Sequence, residues 1–310
     1  TWIYIIQTLI ITSSEGFIGK KLVSFYIKKK FKVYGSYYKR EITKIKKAQY
    51  IKCNFTNKNE VYSLLDKTKP DYIFHLAAKS HPTFSFKNPD LTIKTNLNGT
   101  FYLFDSLKKL NINPKIIIAG SSAQFGSKKK NELPINEKSI TNPDHIYGFT
   151  KQVQVILAEI YHKMYSFDVC SALIFNTSGN GKNFDVFQDF CNQLKRNKNK
   201  KNFSLMVGNI ENQRDFLHVD DVVNALDTIK IKGTPGKSYI ISSNKLTKIK
   251  EIIEIMKKIS KNNFSLKIDK KLYRKFDEKI ILGNNREIKK LGWKPKKNIY
   301  HILNDIINEK

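Results

Sequence analysis

The sequence predicts an α/β protein: a doubly wound parallel sheet followed by a smaller, discontinuous C-terminal lobe. Three observations carry that prediction. Short apolar runs alternate with helix-length segments through the first half of the chain, a rhythm that builds parallel strands covered by helices on both faces. A glycine-bearing turn, Thr12 to Gly19, stands between the first apolar run and the first helical segment. The order then changes after Phe175, where residues 176–214 become rich in Asn, Gly and Lys.

The elements follow in order. Strands are expected at Leu9 to Ile11, Phe31 to Tyr34, Tyr50 to Ile51, Tyr72 to Leu76, Lys115 to Ala119 and Val169 to Ile174, each a short run of β-branched, aliphatic or aromatic residues. Helices are expected near Phe17 to Lys29, Glu60 to Lys67, Leu91 to Leu110 and Tyr147 to Tyr165. One helix near Phe187 to Lys195 interrupts the polar stretch. A strand-helix-strand unit returns at Phe216 to Ser242, followed by short helices near Lys248 to Ser260, Arg286 to Leu291 and Tyr300 to Ile307.

Composition limits the classes of function. The chain has 310 residues, 40% of them hydrophobic, enough to bury a sizeable core. A formal net charge of +29 would ordinarily raise nucleic acid or an anionic membrane as partners. Only five residues are Arg (Arg40, Arg196, Arg214, Arg274 and Arg286), and the lysines are scattered among Asn and Ile. Nucleic-acid readers instead gather Arg with aromatics on one face, so neither nucleic acid nor membrane is expected as a partner. The apolar start, Trp2 to Ile11, is too short to span a bilayer and reads as the first buried strand. Three cysteines (Cys53, Cys170 and Cys191), without a CxxC pair, make neither a disulfide framework nor a zinc site. They fit a reducing compartment, and a cytoplasmic enzyme with no metal is the expectation.

The turn after the first strand reads Thr12-Ser13-Ser14-Glu15-Gly16-Phe17-Ile18-Gly19. Gly16 and Gly19 hold the second and third glycine places of a dinucleotide fingerprint, where backbone approaches a pyrophosphate and a helix packs on a strand. Ser13 holds the first place, which favours Gly for the tight turn. With this loop the sheet reads as a Rossmann type, and the change of pattern after Phe175 divides the chain into a dinucleotide-binding domain, 1–174 with 215–245, and a substrate lobe, 175–214 with 246–310. After the second strand, Gly35 to Arg40 contains no acid to take a ribose 2′-hydroxyl; Lys39 and Arg40 stand there instead. A 2′-phosphate is welcome beside such bases, so NADP is the expected cofactor.

Tyr147 and Lys151 lie four residues apart, on one face of a helix. A neighbouring cation favours phenolate and makes the phenol a usable proton donor and acceptor near neutral pH. Ser121 and Ser122 follow the strand Lys115 to Ala119 and deliver a hydroxyl to the carboxyl edge of the sheet. His75 reads as a packed strand residue, Trp293 as core of the C-terminal lobe, and Asp215 and Asp220 as helix caps or local pairs.

Taken together, these motifs resemble the extended short-chain dehydrogenase/reductases over nearly the whole chain. The resemblance rests on the glycine loop, His75-Leu76-Ala77-Ala78, Asn96 with Gly99-Thr100, Gly120-Ser121-Ser122 and Tyr147 with Lys151. Phe175-Asn176, Arg214-Asp215-Phe216 and Leu291-Gly292-Trp293-Lys294-Pro295 extend it. Lys69 to Ser80 and Val207-Gly208-Asn209-Ile210 look most similar to the GDP-mannose 4,6-dehydratase and GDP-4-keto-6-deoxymannose reductase branches.

The resemblance implies that Tyr147 is the general acid/base, that Lys151 holds the nicotinamide ribose and tunes Tyr147, and that Ser122 bonds the reacting sugar oxygen. It also implies that NADP is held by Ser13, Gly16, Phe17, Ile18, Gly19, Arg40, Leu76, Ala77, Ala78 and Asn96 together with Tyr147 and Lys151. A nucleotide-sugar, GDP-linked in the leading reading, would meet Ser80, Gln124, Asn176, Arg214, Arg274 and Asp277. Gln124 stands two residues after Ser122, where the dehydratases carry the Glu that removes the C5 proton; an amide is no base. The expectation is therefore hydride chemistry at hexose C4, led by reduction of a GDP-4-keto-6-deoxyhexose. A 4,6-dehydratase with its base elsewhere, an epimerase and a non-catalytic nucleotide-sugar-binding relative stand as alternatives. A homodimer through the helices 91–110 and 147–165 is implied as well.

Overall fold

A computed structural model describes residues 6–38, 43–198, 200, 202–273 and 280–308. The chain runs β1 (Thr8–Ile11), α1 (Phe17–Lys28), β2 (Lys32–Tyr37), β3 (Gln49–Lys52), α2 (Lys58–Thr68), β4 (Tyr72–His75), α3 (Pro82–Lys87), α4 (Pro89–Ile93), α5 (Gly99–Lys109), β5 (Lys115–Ser121), α6 (Ile146–Tyr165) and β6 (Val169–Ile174). It continues through β7 (Asn176–Ser178), α7 (Val186–Arg196), β8 (Phe203–Val207), β9 (Gln213–His218), α8 (Val219–Lys232), β10 (Ser238–Ile241), β11 (Leu246–Lys248), α9 (Ile249–Ser260), β12 (Phe264–Ile268), α10 (Arg286–Lys290) and α11 (Ile299–Ile307).

Seven strands form one sheet in the order β10-β6-β5-β4-β1-β2-β3, and every pairing in it is parallel. The predicted fold class is therefore the observed one. All of β6 and the run Ile116 to Ile118 of β5 are buried, as strands covered on both faces must be. One face packs on α1 and α8 through Leu22, Val23, Val222 and Leu226. The other packs on α2, α5 and α6 through Leu64, Phe104, Ala158 and Tyr161. The strand order reverses between β1 and β4, so their carboxyl ends open the crevice where such sheets bind ligands.

The lobe differs from its expected outline. Phe187, Phe190, Leu205, Ile252, Met256, Phe264, Ile302 and Ile306 make its core. Trp293 and Ile288 instead join the core of the large domain, where the Trp293 indole donates to the Asp221 carbonyl at 3.1 Å. Residues 286–293 thus return to the sheet before α11 re-enters the lobe. The polar stretch 176–214 carries three strands besides its helix: β7 and β9 in a three-stranded sheet with β11, and β8 paired in parallel with β12. Among the described residues no helix is long and apolar enough to cross a membrane.

The expected helix Leu91 to Leu110 is broken into α4 and α5 by a π-helical turn, Lys94–Asn98. Such turns insert one residue and re-aim a side chain. Here the re-aimed side chain is that of Asn96, which is fully buried.

Candidate active site

The tight turn of the phosphate loop closes through the backbone. Ser13 takes φ +52°, the left-handed conformation that the first glycine place calls for, and its carbonyl receives the Gly16 amide at 3.0 Å. A β-carbon on Gly19 would stand 2.5 Å from the Ser13 carbonyl and 2.9 Å from Ser14 Cα. Only Gly allows α1 to start this close to the turn. Gly16 is the N-cap of α1 and offers no side chain, which leaves the first-turn amides at Phe17 and Ile18 available to a phosphate. The described loop therefore fits a dinucleotide pyrophosphate.

A buried network ties this loop to the catalytic helix. The Thr12 hydroxyl accepts from the Leu76 and Ala77 amides, at 2.9 and 2.8 Å, and faces His75 Nδ1 at 3.2 Å. With both acceptor places filled, Thr12 must donate to Nδ1, so His75 carries its proton on Nε2 and gives it to Thr100 Oγ1 at 3.0 Å. Burial lowers the His75 pKa to about 3, which keeps the ring neutral. Asn96 Oδ1 accepts from the Lys79 amide at 2.7 Å, and Nδ2 donates to Thr150 Oγ1 at 2.9 Å. Asn96 thus acts as a strut between the loop after β4, which bears Leu76, Ala77 and Ala78, and the turn of α6 that carries Lys151.

The N-terminus of α6 lies against the turn after β5. His145 caps it by accepting the Gly148 amide at 3.0 Å, and a β-carbon on Gly148 would stand 2.4 Å from the Ala123 carbonyl. That close approach brings the Tyr147 phenol to a serine hydroxyl, and the serine is Ser121. β5 runs on to Ser121, two residues past its expected end, so Ser121 is the last side chain on the strand edge. Ser122 is the first residue of the following 3-10 turn and is buried. Burial, the larger cause, raises the Tyr147 pKa, and the hydrogen bond with Ser121 opposes it. The serine beside the Tyr147 phenol is thus Ser121, one residue before the Ser122 that the sequence points to.

Lys151 Nζ donates to the Ala119 carbonyl at 2.8 Å and lies 6.0 Å from the centre of the Tyr147 ring. Burial pulls its pKa down to about 7. The expected tuning of Tyr147 by a full positive charge is consequently weaker than spacing alone suggests, because the same burial that raises the phenol also discharges the amine. Two residues after Ser121 stands Ala123; Gln124 follows, buried with Oε1 unpartnered. Neither position offers a carboxylate.

Asn176 and Arg214 sit on adjacent strands: Asn176 pairs with Phe216, two residues beyond Arg214. Asn176 Nδ2 is buried without a partner among the described residues, the mark of a donor awaiting an acceptor. Arg214 donates from Nη1 to the Gln213 carbonyl at 3.0 Å. Ser80 is exposed in the loop after β4. Arg40, Arg274 and Asp277 lie outside the described residues. The sequence places Thr12 in the phosphate loop and Thr100 beside Gly99, but gives no sign that they and Thr150 join one buried network; Gly148 has a signal, its place directly after Tyr147.

A switch-point crevice with a phosphate loop on one side and a Ser-Tyr-Lys cluster on the other defines an extended short-chain dehydrogenase/reductase. More narrowly, the chain belongs to the GDP-mannose 4,6-dehydratase family, whose model matches residues 10–306. It is 28% identical to GDP-6-deoxy-D-mannose reductase of Pseudomonas aeruginosa over 243 residues, 77% of this chain and 80% of that one. It is 26% identical to GDP-mannose 4,6 dehydratase 1 of Arabidopsis thaliana over 324 residues, 97% of this chain and 88% of the relative. The solved structure of RMD from Pseudomonas aeruginosa, complexed with NADPH, superposes with a TM-score of 0.83 at 25% identity, covering 97% of each chain.

Proposed function

We propose that the chain is an NADP(H)-dependent oxidoreductase acting at C4 of a nucleotide-linked hexose, and that it reduces a GDP-4-keto-6-deoxyhexose. The observation that carries this reading is the meeting of Tyr147 with Ser121 above Lys151, with Ala123 and Gln124 where a dehydratase would hold its base. The dinucleotide, bound along the phosphate loop, would supply the hydride. Tyr147 would give its proton to the oxygen forming at C4, and its raised pKa keeps that proton in place at neutral pH. Ser121 would hold the same oxygen by a second hydrogen bond. Lys151 spends one of its donors on Ala119 and would turn the others to the ribose.

Asn176 and Arg214 would take the diphosphate of the substrate, the unpartnered Asn176 amide with one bond and the guanidinium with a charge-assisted grip. Arg40 would hold the 2′-phosphate, and Arg274 and Asp277 the nucleotide. The partner of the chain is a second copy of itself. Phe149, Ile156 and Ile160 form an exposed stripe along α6, and Phe101 is exposed on α5; the stripe spacing is that of a helix-pairing seam. A cytoplasmic location belongs to the same reading.

The test is direct. Supplied with GDP-4-keto-6-deoxymannose, the protein should consume NADPH and form a GDP-6-deoxyhexose, while GDP-mannose with NADP should yield little 4-keto-6-deoxy product. A working general base contributes about 10²- to 10⁴-fold, so rapid dehydration of GDP-mannose would overturn the reductase assignment.

A further inference from the structure

We infer that Glu15 restores, from the phosphate loop, the ribose-reading acid that the end of β2 lacks, and that it admits NAD(H) to the site by penalising a 2′-phosphate. The inference rests on the dinucleotide part of the function proposed above.

In sheets of this order the adenosine ribose lies at the carboxyl end of β2, where an acid on that strand takes its hydroxyls. β2 ends at Tyr37 without one. Glu15, one residue before the glycine that caps α1, reaches across to that place: its Oε1 accepts the Tyr38 amide, the first past the strand, at 3.0 Å. The bond fixes a carboxylate at the strand end although no acid belongs to the strand. Its second oxygen, Oε2, is buried and has no partner among the described residues. A carboxylate oxygen left without a donor is costly, and among the described residues none reaches it here.

The missing donor defines the ligand. A ribose bearing free hydroxyls brings O–H groups that Oε2 can accept. A 2′-phosphate replaces one of those donors with a group carrying close to two negative charges and acceptor oxygens alone. Facing Glu15 it would gain no bond and would meet a like charge, an arrangement that selects against a ligand. Lys39 and Arg40 favour the phosphate, and Glu15 opposes them.

The experiment is a pair of fluorescence titrations, NADPH and NADH, on the intact wild-type chain and on Glu15→Gln. Gln keeps the shape and the carbonyl that accepts the Tyr38 amide but removes the charge. The wild type should bind both nucleotides with affinities within roughly tenfold of each other. In Glu15→Gln, NADPH should bind about tenfold or more tightly than before, and NADH several-fold more weakly. Glu15→Ser gives the same reading if the Gln variant does not fold. A ratio of affinities unchanged in both variants would overturn the inference while leaving the oxidoreductase reading intact. Binding of neither nucleotide to the wild type would overturn that reading and this inference with it.

Discussion

Ser121 and Ser122 are adjacent and chemically identical, yet the fold gives them different work. Ser121 meets Tyr147 from the strand edge, whereas Ser122 is turned into the 3-10 turn. Ser121→Ala should therefore lower turnover by about 10- to 100-fold, the worth of one hydrogen bond to a group that carries charge in the reaction. Ser122→Ala should cost less, and steady-state NADPH consumption compares the two. Lys151 supplies a second residue-scale outcome. Its pKa falls from 10.5 in the unfolded chain to about 7 in the fold, so between those values the unfolded state binds the extra proton. Stability should then rise as pH increases from about 7 to about 10. Denaturant midpoints across that range should show the rise in the wild type and a flatter profile in Lys151→Met.

Elements set the distances on which those residues depend. The start of α6 can touch the turn after β5 because Gly148 has no side chain; a β-carbon there would press on backbone, 2.4 Å from the Ala123 carbonyl. Backbone cannot swing aside as a side chain can, so Gly148→Ala must push the helix start away and carry Tyr147 from Ser121. A displacement near 1 Å can cost about 10²-fold in rate. Turnover of Gly148→Ala should fall by that order, while circular dichroism retains the wild-type helix content. The π turn before α5 works at the same scale. It carries Asn96, which bonds Lys79 and Thr150 together.

Across the whole molecule, the late segment 286–293 closes the large domain rather than the lobe. Trp293 is buried among residues of the first core, so Trp293→Ala should cost about 3–5 kcal/mol in chemical denaturation, as large aromatic truncations in cores do. The exposed stripe of α6 belongs to this scale too. Ile156→Glu combined with Ile160→Glu should convert a dimer into a monomer on light scattering, because a charged seam cannot be desolvated cheaply. A monomeric wild type would remove the dimer from the proposed function.

The succession of strands and helices along the first half of the chain, the phosphate loop and the pairing of Tyr147 with Lys151 were determined by the sequence alone, since each depends on spacing along a single strand, turn or helix. Period and turn chemistry are local and survive in any context. Where β5 ends, and hence which serine faces Tyr147, was decided by how α6 seats on the turn after the strand. The strands β8 and β12 leave no clear mark in the sequence because each is short, lies among polar residues and finds its partner about 60 residues away. The charge of Lys151 at neutral pH also belongs to the tertiary structure, because desolvation depends on everything packed around the amine. Glu15 makes the same point at the cofactor edge: the sequence shows a β2 end without an acid, and only the folded loop brings one there.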